Sequence, residues 1–456
     1  MPKKISILFH NPDQAGVGYY RTLMPAIRLQ KDFADDFDIE INPNVDWNDL
    51  EYLKRFDIIH AHRTLCDPAQ MDTLVPTLQK EGIVVVLDLD DYWEVHEQHP
   101  VKEMVKQQNL AAKIKNNVRL VDHVTTTTAQ FAEYIRPLNP NVTVIANGVD
   151  PDQSQFAPAE KQPSDKMRLM WLGGSSHEAD INLLGDAFDK LRGDANLKGK
   201  YQLHLAGFDL RGTHTDLVPN QEMLKELYGL DLVTPALWKA FEATGWNLDA
   251  ITVIPQRIKD RYRYNAISYE TRDLKPEETV WSKYEKVFTS DYKLVENPEY
   301  VKWLKRFDLT GPYEGNMSTE PYIRHRTQGV HLFANAYRVA DICLAPIKVF
   351  GKETSNRYQF AKSNLKAIEA GFHKVPLIAS EVPTYTGDKE FVDGKNIVFV
   401  KPERQSKDWF KKMKQMLQNP NMVKDLGEAA YELVSKKYDL KTITEGRAAF
   451  YKSIVK

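Results

Sequence analysis

Cysteine is scarce in this chain: only Cys66 and Cys343 occur among its 456 residues. Two cysteines cannot build the disulfide framework of a small secreted protein or a zinc site made of cysteine thiolates. Long apolar runs are also missing, and none approaches the roughly 20 residues that a transmembrane helix needs. The chain begins with a short polar stretch that runs directly into an apolar strand, which is not the pattern of a signal peptide. These absences predict a cytoplasmic protein without a membrane span.

An excess of either charge is missing as well. The 61 lysines and arginines nearly balance the 63 aspartates and glutamates, which gives a formal net charge of −2. The chain therefore lacks the global positive field that draws proteins to nucleic acid or to anionic membranes. Its 42% hydrophobic and 27% charged residues are typical of a globular protein. The length suffices for two α/β domains and an additional segment.

What the sequence does have is an alternation of short apolar strands and helical segments, which is typical of an α/β fold with parallel sheets. The first strand, over residues 5–9, leads into a loop with Gly16 and Gly18 and then into a helix, which is the opening of a Rossmann-like unit. The glycines allow the backbone to approach a phosphate or a sugar, although a plain turn also explains them. Arg21, just after them, is a candidate contact for a phosphate or an acceptor.

Polar side chains follow two further strands of this unit. One strand ends at His62 and Arg63, and the next ends in the acidic run D-L-D-D, which contains Asp90 and Asp91. Ligands of open α/β sheets bind outside the carboxyl ends of the strands, so these four residues are candidates for a cleft. Either aspartate can orient an acceptor hydroxyl or act as a general base. The alternative is that the acids cap the segment that follows.

A second Rossmann-like unit begins at residue 167 with an apolar strand and the loop G-G-S-S-H. A glycine–serine loop before a helix presents free backbone N–H groups and is a candidate anion site. Its candidate residues are Gly173, Gly174, Ser175 and His177. The ring of His177 can donate to a phosphate or cap the following helix, and the sequence leaves both roles open.

Residues 357–380 read as a polar loop, a compact helix that begins at Leu365, and a short buried strand. Ser363 or Asn364 is expected to cap this helix through its side chain, and Gly371 is expected to end it. The first helical turn carries free N–H groups and the positive end of the helix dipole, which together suit an anion.

The same helix offers what a nucleoside diphosphate needs. Lys362 and Lys366 add positive charge beside the helix N-terminus, and Glu369, further along, can accept hydrogen bonds from a ribose. An ordinary amphipathic helix with two solvated lysines is the alternative interpretation.

Residues 361–380 resemble the donor-binding segment of GT-B glycosyltransferases of the family-4 type. That segment usually has two glutamates, of which Glu369 matches the second, whereas Ala361 stands in place of the first. The chain instead resembles the K-S-N-L-K-x-x-E variant of phage and bacterial relatives, in which Lys362 can take part of the phosphate contact. Three further motifs support the resemblance: V-x-V-I-x-N-G-V-D at 142–150, A-D-I-x-L-A-P at 340–346, and the phage-like G-V-G-Y-Y-R at 16–21.

The resemblance implies an α/β protein of GT-B fold, in which two Rossmann-like domains face a cleft and the C-terminal domain carries a large insertion. The insertion, of about 120 residues, is too long for an ordinary connection and is assigned to acceptor selection or oligomer contacts. The expected segments are an N-terminal acceptor-side domain (1–150), a linker (151–166), a donor-binding domain (167–207 and 330–440), the insertion (208–329) and a final helix that crosses to the N-terminal domain (441–456).

The resemblance also implies a nucleotide-sugar-dependent glycosyltransferase that uses a UDP-sugar and retains the anomeric configuration. The donor is a substrate, no cofactor is tightly bound, and a metal is not required; a D-x-D metal site in the D-L-D-D run ranks second. The residues expected in catalysis are Asp90, Asp91, His62 and Lys362. Those expected to bind the donor are Gly16, Gly18, Arg21, Gly173, Gly174, Ser175, His177, Lys362, Ser363, Asn364, Leu365 and Glu369.

The acceptor is left open between two classes. A saccharide or glycoconjugate is the commonest acceptor of the family. A hydroxymethylated DNA base is suggested by the phage-like motifs and by basic and aromatic residues in the insertion, because Arg and Tyr can hold a nucleic-acid backbone and stack on bases. Either acceptor fits the cytoplasm of a bacterium or of a phage-infected host cell, and a catalytically silent binding protein is the third interpretation. The tentative acceptor contacts are Arg63, Arg261, Arg263, Arg324 and Arg326.

Overall fold

The computed structural model describes residues 3–13, 16–157, 161, 163–207, 213–228, 235–244, 247–262, 267–273, 280–289, 322–325, 329–351 and 353–455. The chain divides into two compact units, one formed by Met1–Phe208 with Tyr284–Lys456 and the other by Asp209–Lys283. The first unit contains two six-stranded sheets, and the second contains a two-stranded sheet. No helix within the described ranges is long and apolar enough to cross a membrane.

The first sheet consists of parallel strands in the order β2-β1-β3-β4-β5-β6. The order reverses beside β1, which creates the crevice at which such sheets bind ligands. Helices on the faces bury most strands on both sides, so β4 reads V-V-V-L-D-L and every one of its residues is buried. The strands are β1 (Ile5–His10), β2 (Phe37–Asn42), β3 (Ile58–His62), β4 (Val84–Leu89), β5 (His123–Thr126) and β6 (Val142–Val144).

The helices around the first sheet follow their sequence signals closely. Thr128 caps the last of them, because its hydroxyl accepts a hydrogen bond from the N–H of Phe131. A π-helical turn, Tyr19–Leu23, interrupts the first helical segment directly after the glycine loop. The α-helices are Gly16–Gly18, Met24–Asp32, Leu50–Leu53, Pro68–Lys80, Lys102–Gln107, Leu110–Leu120 and Ala129–Ile135.

The second sheet is also parallel, with the order β11-β8-β7-β12-β13-β14, and it reverses beside β7. One of its edge strands, β11, comes from the segment that the sequence assigns to the insertion. The domain boundaries drawn from the sequence stay a prediction. The strands are β7 (Met167–Leu172), β8 (Tyr201–Ala206), β11 (Tyr322–Arg324), β12 (Ile342–Ala345), β13 (Leu377–Ser380) and β14 (Val398–Val400).

Helices and short 3₁₀ turns cover the second sheet. The 3₁₀ turns are Asn182–Leu184, Phe333–Val339, Glu353–Asn356 and Pro402–Arg404. The α-helices are Glu178–Ile181, Gly185–Gly193, Val280–Thr289, Arg357–Ala361, Leu365–Phe372, Pro383–Thr386, Gln405–Leu417 and Pro420–Lys437.

The helix that contains Gly371 does not end there, contrary to the sequence prediction. It continues to Phe372, and the left-handed position after it belongs to Lys374, with φ of 56°. A Cβ on Gly371 would lie 2.9 Å from Cγ1 of Val434, so glycine is needed because helix Pro420–Lys437 packs closely here. Gly427, on that helix, makes the matching approach to the backbone of Lys374.

The last helix, Leu440–Ile454, packs on the first sheet. The Tyr451 hydroxyl bonds to Nδ1 of His60 at 2.8 Å, and both side chains are fully buried. Burial lowers the pKa of His60 to about 3, so it is a neutral core histidine. The last helix thus returns to the sheet with which the chain begins.

The second unit has its own small core. Its strands β9 (Thr213–Pro219) and β10 (Ile267–Asp273) pair antiparallel. The core contains Met223, Leu224, Phe241 and Ile258. Its helices are Gln221–Tyr228, Pro235–Ala243 and Gln256–Tyr262, with a 3₁₀ turn at Leu248–Ala250.

Two helix-interior glycines provide a matched test of how closely helix Pro420–Lys437 packs on the backbone of Lys374. A Cβ on Gly427 would lie 2.2 Å from the carbonyl oxygen of Lys374, whereas a Cβ on exposed Gly446 would meet nothing within 4 Å. Gly446→Ala is expected to stabilise the protein by about 0.5–1 kcal/mol, because alanine favours the helix. Gly427→Ala is expected to destabilise it by about 1–3 kcal/mol through overpacking. Urea denaturation measures both, and equal effects would contradict the packing.

Candidate active site

A cavity of about 620 Å³ lies within the first unit, and both large sheets contribute to its wall. The wall is formed by residues that follow β1 and β4 in the first sheet and β7 and β12 in the second. Since β1 and β7 are the strands beside which the two sheet orders reverse, the cavity lies where open α/β sheets bind ligands. Of the residues singled out from the sequence, the cavity brings together Gly16, Arg21, Asp90, Asp91, Gly173, Gly174, His177, Lys362, Ser363, Leu365 and Glu369.

The two glycines of the first loop have different roles. Gly16 lines the cavity and adopts a φ of +48°. Gly18 does not line it; a Cβ at Gly18 would lie 1.5 Å from the carbonyl oxygen of Asp13. Gly18 is therefore required for the close packing of its own loop, which differs from the donor contact expected from the sequence.

Arg21 is committed to a buried ion pair rather than free to hold a phosphate. Its Nε and Nη2 donate to the two carboxylate oxygens of Asp88 at 2.9 and 2.7 Å, and both side chains are at most 1% exposed. Its Nη1 donates to the carbonyl of Ile145 and to Oδ1 of Asn147. The guanidinium reaches the cavity wall, but its hydrogen-bonding capacity is used inside the protein, which corrects the donor role expected from the sequence.

Asp88 is the first carboxylate of the D-L-D-D run, and it faces the interior. It also accepts a hydrogen bond from the Thr125 hydroxyl at 2.6 Å. Burial disfavours its charged form, but Arg21 outweighs burial and lowers the pKa of Asp88 to about 2. Across the ranges that the structure describes, no group of three or more Asp, Glu, His or Cys side chains is arranged to hold a metal ion.

Asp90 is the centre of a hydrogen-bonded network on the cavity wall. Its Oδ1 lies 2.7 Å from Nε2 of His62 and accepts from Nε and Nη2 of Arg63 at 3.1 and 2.9 Å. Arg63 adopts a left-handed backbone with φ of 62°, which turns the chain at the end of β3. The structure thus brings His62, Arg63 and Asp90 together, although His62 and Arg63 lie behind the cavity lining.

The adjacent aspartates differ in basicity. Burial disfavours the charge on Asp90, but Arg63 and His62 outweigh it and hold the pKa of Asp90 below its ordinary value. Burial and the neighbouring charge of Asp90 raise the pKa of Asp91. Asp91 is also paired with Nη2 of Arg63, at 2.9 Å. Because a higher pKa means a stronger base, Asp91 is the better proton acceptor of the two.

The opposite wall contains the glycine–serine loop. Gly173, Gly174 and Ser176 line the cavity, whereas Ser175 is exposed and does not, so the serine chosen from the sequence was the wrong neighbour. The Tyr284 hydroxyl fixes the loop, since it accepts from the N–H of His177 and donates to the carbonyl of Gly174.

His177 is neutral and oriented by Asp180. Its Nδ1 lies 2.7 Å from Oδ2 of Asp180, and a carboxylate requires a donor there. Burial, together with Lys362 and Lys366, lowers the pKa of His177 to about 3. At neutral pH its Nε2 is therefore an acceptor, suited to a sugar hydroxyl. This corrects two expectations: the ring does not donate to a phosphate through Nε2, and it does not cap the following helix.

Two lysines bring positive charge to the cavity. Lys362 and Lys366 both line it, and both side chains are half-buried. The ammonium of Lys366 lies 4.8 Å from the centre of the Trp171 ring, and that of Lys362 lies 5.0 Å from the centre of the Tyr358 ring. Burial and the charge of Lys362 lower the pKa of Lys366 to about 8. Such a site favours an anion that restores the balance of charge.

Glu369 joins the two halves of the cavity. Its Oε1 accepts from the Tyr20 hydroxyl at 2.5 Å, and its Oε2 accepts from the Tyr337 hydroxyl at 3.1 Å. Burial raises the pKa of Glu369, although both tyrosine hydrogen bonds favour the anion. A carboxylate has about four acceptor positions, so two remain for a ligand.

The polar residues before the Leu365 helix serve different purposes. Ser363 and Leu365 line the cavity. Asn364 occupies the N-cap position, but its side chain makes no capping hydrogen bond and donates instead to Asp388 and Tyr438. The first-turn N–H groups are thus not used by the side chain that was expected to cap them.

The arginines proposed as acceptor contacts are only partly described. Arg261 lies in the second unit and pairs with Glu226 at 3.0 Å. Arg324 lies in β11, but its side chain is outside the described residues, as are Arg263 and Arg326 altogether. Arg63 supports Asp90 and Asp91.

Sequence reasoning missed the tyrosines of the cavity. Tyr20, Tyr337, Tyr358 and Tyr385 all line it. One signal was available for Tyr20, because it lies directly after the glycine loop in G-V-G-Y-Y-R. The other three come from segments far apart in sequence, and only the fold brings them together.

No protein-family model matches the chain, and no curated protein matches it by sequence. Solved structures match its fold. A sucrose-phosphate synthase from Thermosynechococcus elongatus superposes with a TM-score of 0.55 at 13% identity over 99% of both chains. A glycosyltransferase from Rickettsia africae gives 0.53 at 13% identity over 100% of this chain and 99% of that one. HepE from Anabaena in complex with UDP-glucose gives 0.52 at 13% identity over 99% of this chain and 100% of the other. The predicted GT-B fold is confirmed.

Proposed function

We propose that the chain is a glycosyltransferase that moves a sugar from a UDP-sugar to a hydroxyl acceptor. The observation that carries this proposal is the cavity itself, in which Lys362, Lys366 and Glu369 lie on one wall and Gly16 and Asp91 on the other. The lysines suit a diphosphate, the buried glutamate suits a ribose, and the basic aspartate suits an acceptor hydroxyl. The similar fold of HepE, solved with UDP-glucose, supports the choice of donor.

The reaction breaks the bond between the anomeric carbon and the diphosphate and forms one between that carbon and the acceptor oxygen. The electron pair of the broken bond leaves with the diphosphate, where Lys362, Lys366 and the N-terminus of helix Leu365–Phe372 stabilise the charge. The acceptor oxygen loses its proton, which is assigned to Asp91, the more basic of the two adjacent aspartates. Retention of the anomeric configuration is inferred from the resemblance of residues 361–380.

Asp90 and His62 have supporting roles in this proposal. Asp90 stays ionised because of Arg63 and His62, and its charge keeps Asp91 basic. His62 contacts Asp90 and lies outside the cavity lining, so it positions the network rather than touching a substrate. The neutral ring of His177 is available to accept a hydrogen bond from the donor sugar.

A saccharide is the acceptor proposed here, and acceptor selection or oligomer contact stays the role predicted for the insertion at 208–329. DNA has less support, because Arg261 is already paired with Glu226. A positively charged groove free to follow a phosphate backbone is the feature that DNA binding needs.

The direct test is a matrix of nucleotide sugars against two acceptor pools, an uncharged glycan pool and DNA that contains 5-hydroxymethylcytosine. Mass spectrometry of the digested products reads the added sugar mass. We expect a UDP-sugar to be consumed and its sugar to appear on the glycan. Addition to the nucleoside instead would replace the acceptor, and failure of every UDP-sugar to bind, be hydrolysed or be transferred would reject the proposal.

Replacing Glu369 is expected to weaken donor binding. Glu369→Ala removes a charged acceptor of ribose hydrogen bonds, and such bonds contribute about 1.5–3 kcal/mol, so the donor KM should rise about 10- to 100-fold. Glu381→Ala, at an exposed glutamate, is the matched control. Because Tyr20 and Tyr337 lose their partner, thermal unfolding must show that the variant is folded. A folded variant with unchanged donor affinity would remove Glu369 from the site.

Lys366 is expected to make donor binding depend on pH. Since the pKa of Lys366 is lowered to about 8, its amine is protonated at pH 7 and loses its positive charge as the pH rises through 8. The affinity for UDP should therefore fall across this range in the unmodified protein. In Lys366→Met the affinity for UDP should already be about tenfold or more weaker at pH 7. It should not fall further near pH 8, because the variant lacks the amine that loses its proton there. Titration calorimetry measures both.

The matched control is Lys401→Met, which removes an exposed lysine outside the cavity and should reproduce the pH profile of the unmodified protein. A Lys366→Met profile that still falls near pH 8 would assign the titration to another group.

A further inference from the structure

A second cavity, of about 430 Å³, lies beside the candidate active site. The segment after β4 forms one side, including Tyr92, His96 and Val105, and the 354–358 segment of the other half of the unit forms the opposite side, including Thr354 and Tyr358. We call it the Tyr92–Tyr358 cavity. Nothing in the site described above uses it.

Two features connect the Tyr92–Tyr358 cavity to the cavity of the candidate active site, which is called the donor cavity below. Tyr358 lines both of them, so its ring is a shared wall. The chain also passes from one to the other between consecutive residues, because Asp91 lines the donor cavity and Tyr92 lines the second. The lining of the second cavity is therefore continuous along the chain with Asp91, the carboxylate to which the acceptor hydroxyl is assigned.

The shared wall is held from both sides. On the donor side the ammonium of Lys362 lies 5.0 Å from the centre of the Tyr358 ring. On the other side Nε2 of His99 lies 3.2 Å from the Tyr358 hydroxyl, and the His96 ring stacks on Phe350 at 4.8 Å. His96 is 9% exposed, and its Nδ1 has no hydrogen-bond partner within the described part of the chain. A buried polar atom without a partner is costly unless a ligand or a water satisfies it.

The charges of this cavity indicate the class of its ligand. Its two glutamates, Glu94 and Glu97, balance its two lysines, Lys102 and Lys106. Glu97 and Lys102 pair with each other at 2.7 Å. Burial lowers the pKa of His96, so this imidazole adds no charge at neutral pH. Glu94 pairs with Lys115, which is not part of the lining. The lining therefore offers one lysine, Lys106, beyond these pairs, whereas a nucleic-acid backbone needs a row of cations.

We propose that the Tyr92–Tyr358 cavity binds an uncharged saccharide, which is the acceptor of the transfer. Tyrosine rings offer flat apolar faces to a sugar ring, and the exposed hydroxyls of Thr354 and Ser355 with the amide of Asn109 offer hydrogen bonds to its hydroxyl groups. The proposal rests on the proposed function, because it assigns the acceptor to one class and one place.

Filling the cavity tests the assignment. Val105→Trp and Thr354→Trp each place an indole in it from opposite sides, so one remains if the other fails to fold. Val144→Trp, at an exposed valine on β6, is the matched control. The probes are maltotriose, cellotriose, lactose and triacetylchitotriose, with 5-hydroxymethylcytosine DNA as the charged alternative. Saturation-transfer NMR measures saccharide binding without donor, and transfer kinetics measure the acceptor KM.

We expect at least one of the saccharides to bind, and both filling variants to weaken it about tenfold or more. In both filling variants, UDP affinity and slow donor hydrolysis should stay as in the unmodified protein. The control Val144→Trp should change neither saccharide binding nor UDP affinity. Saccharide binding that the filling variants leave intact, activity on the DNA alone, or no saccharide binding at all would overturn the proposal. Failure to bind UDP would reject the proposed function instead, while saccharide binding measured without donor would still decide this inference.

Discussion

The π-helical turn Tyr19–Leu23 fixes the geometry on which the cavity depends. Two consecutive side chains of this turn, both buried, bond to different halves of the first unit. Arg21 pairs with Asp88 near the end of β4 in the first sheet, and Tyr20 donates to Glu369 on helix Leu365–Phe372 in the other half. Removing one partner of a buried ion pair costs about 3–5 kcal/mol, so the turn has little freedom to shift.

This anchoring separates the charges of the cavity. The first half presents carboxylates, with Asp90 held anionic and Asp91 kept basic, whereas the second half presents Lys362 and Lys366. A molecule with a diphosphate at one end and a reacting carbon near the other can satisfy both walls at once. The two aspartates are not equivalent, because Asp90 contacts His62 as well as Arg63, and its charge raises the pKa of its neighbour Asp91.

The sequence predicted the fold well and the site only in part. The first strand, the strand that ends at His62 and the strand that begins at residue 167 lie where the apolar runs indicate, because this signal is local. Asp90, Asp91, Lys362 and Glu369 were singled out from equally local signals, and all four line the cavity, although their roles stay a prediction. Arg21 was misinterpreted because its partner Asp88 is 67 residues away in sequence. Local spacing cannot reveal that a charge is buried, and it cannot reveal which distant tyrosines will meet a glutamate.

The loop G-G-S-S-H illustrates how packing decides where the cations of this site lie. A Cβ on Gly173 would lie 2.6 Å from the Trp171 ring and 3.0 Å from the ammonium of Lys366. A side chain at Gly173 would therefore clash with this ring, and the cation beside this position comes from another element. Lys366 does so from the helix opposite, with the Trp171 ring beneath its ammonium. The loop itself contains no arginine or lysine. It is nevertheless compatible with anion binding, because Lys366 on the neighbouring helix supplies the positive charge.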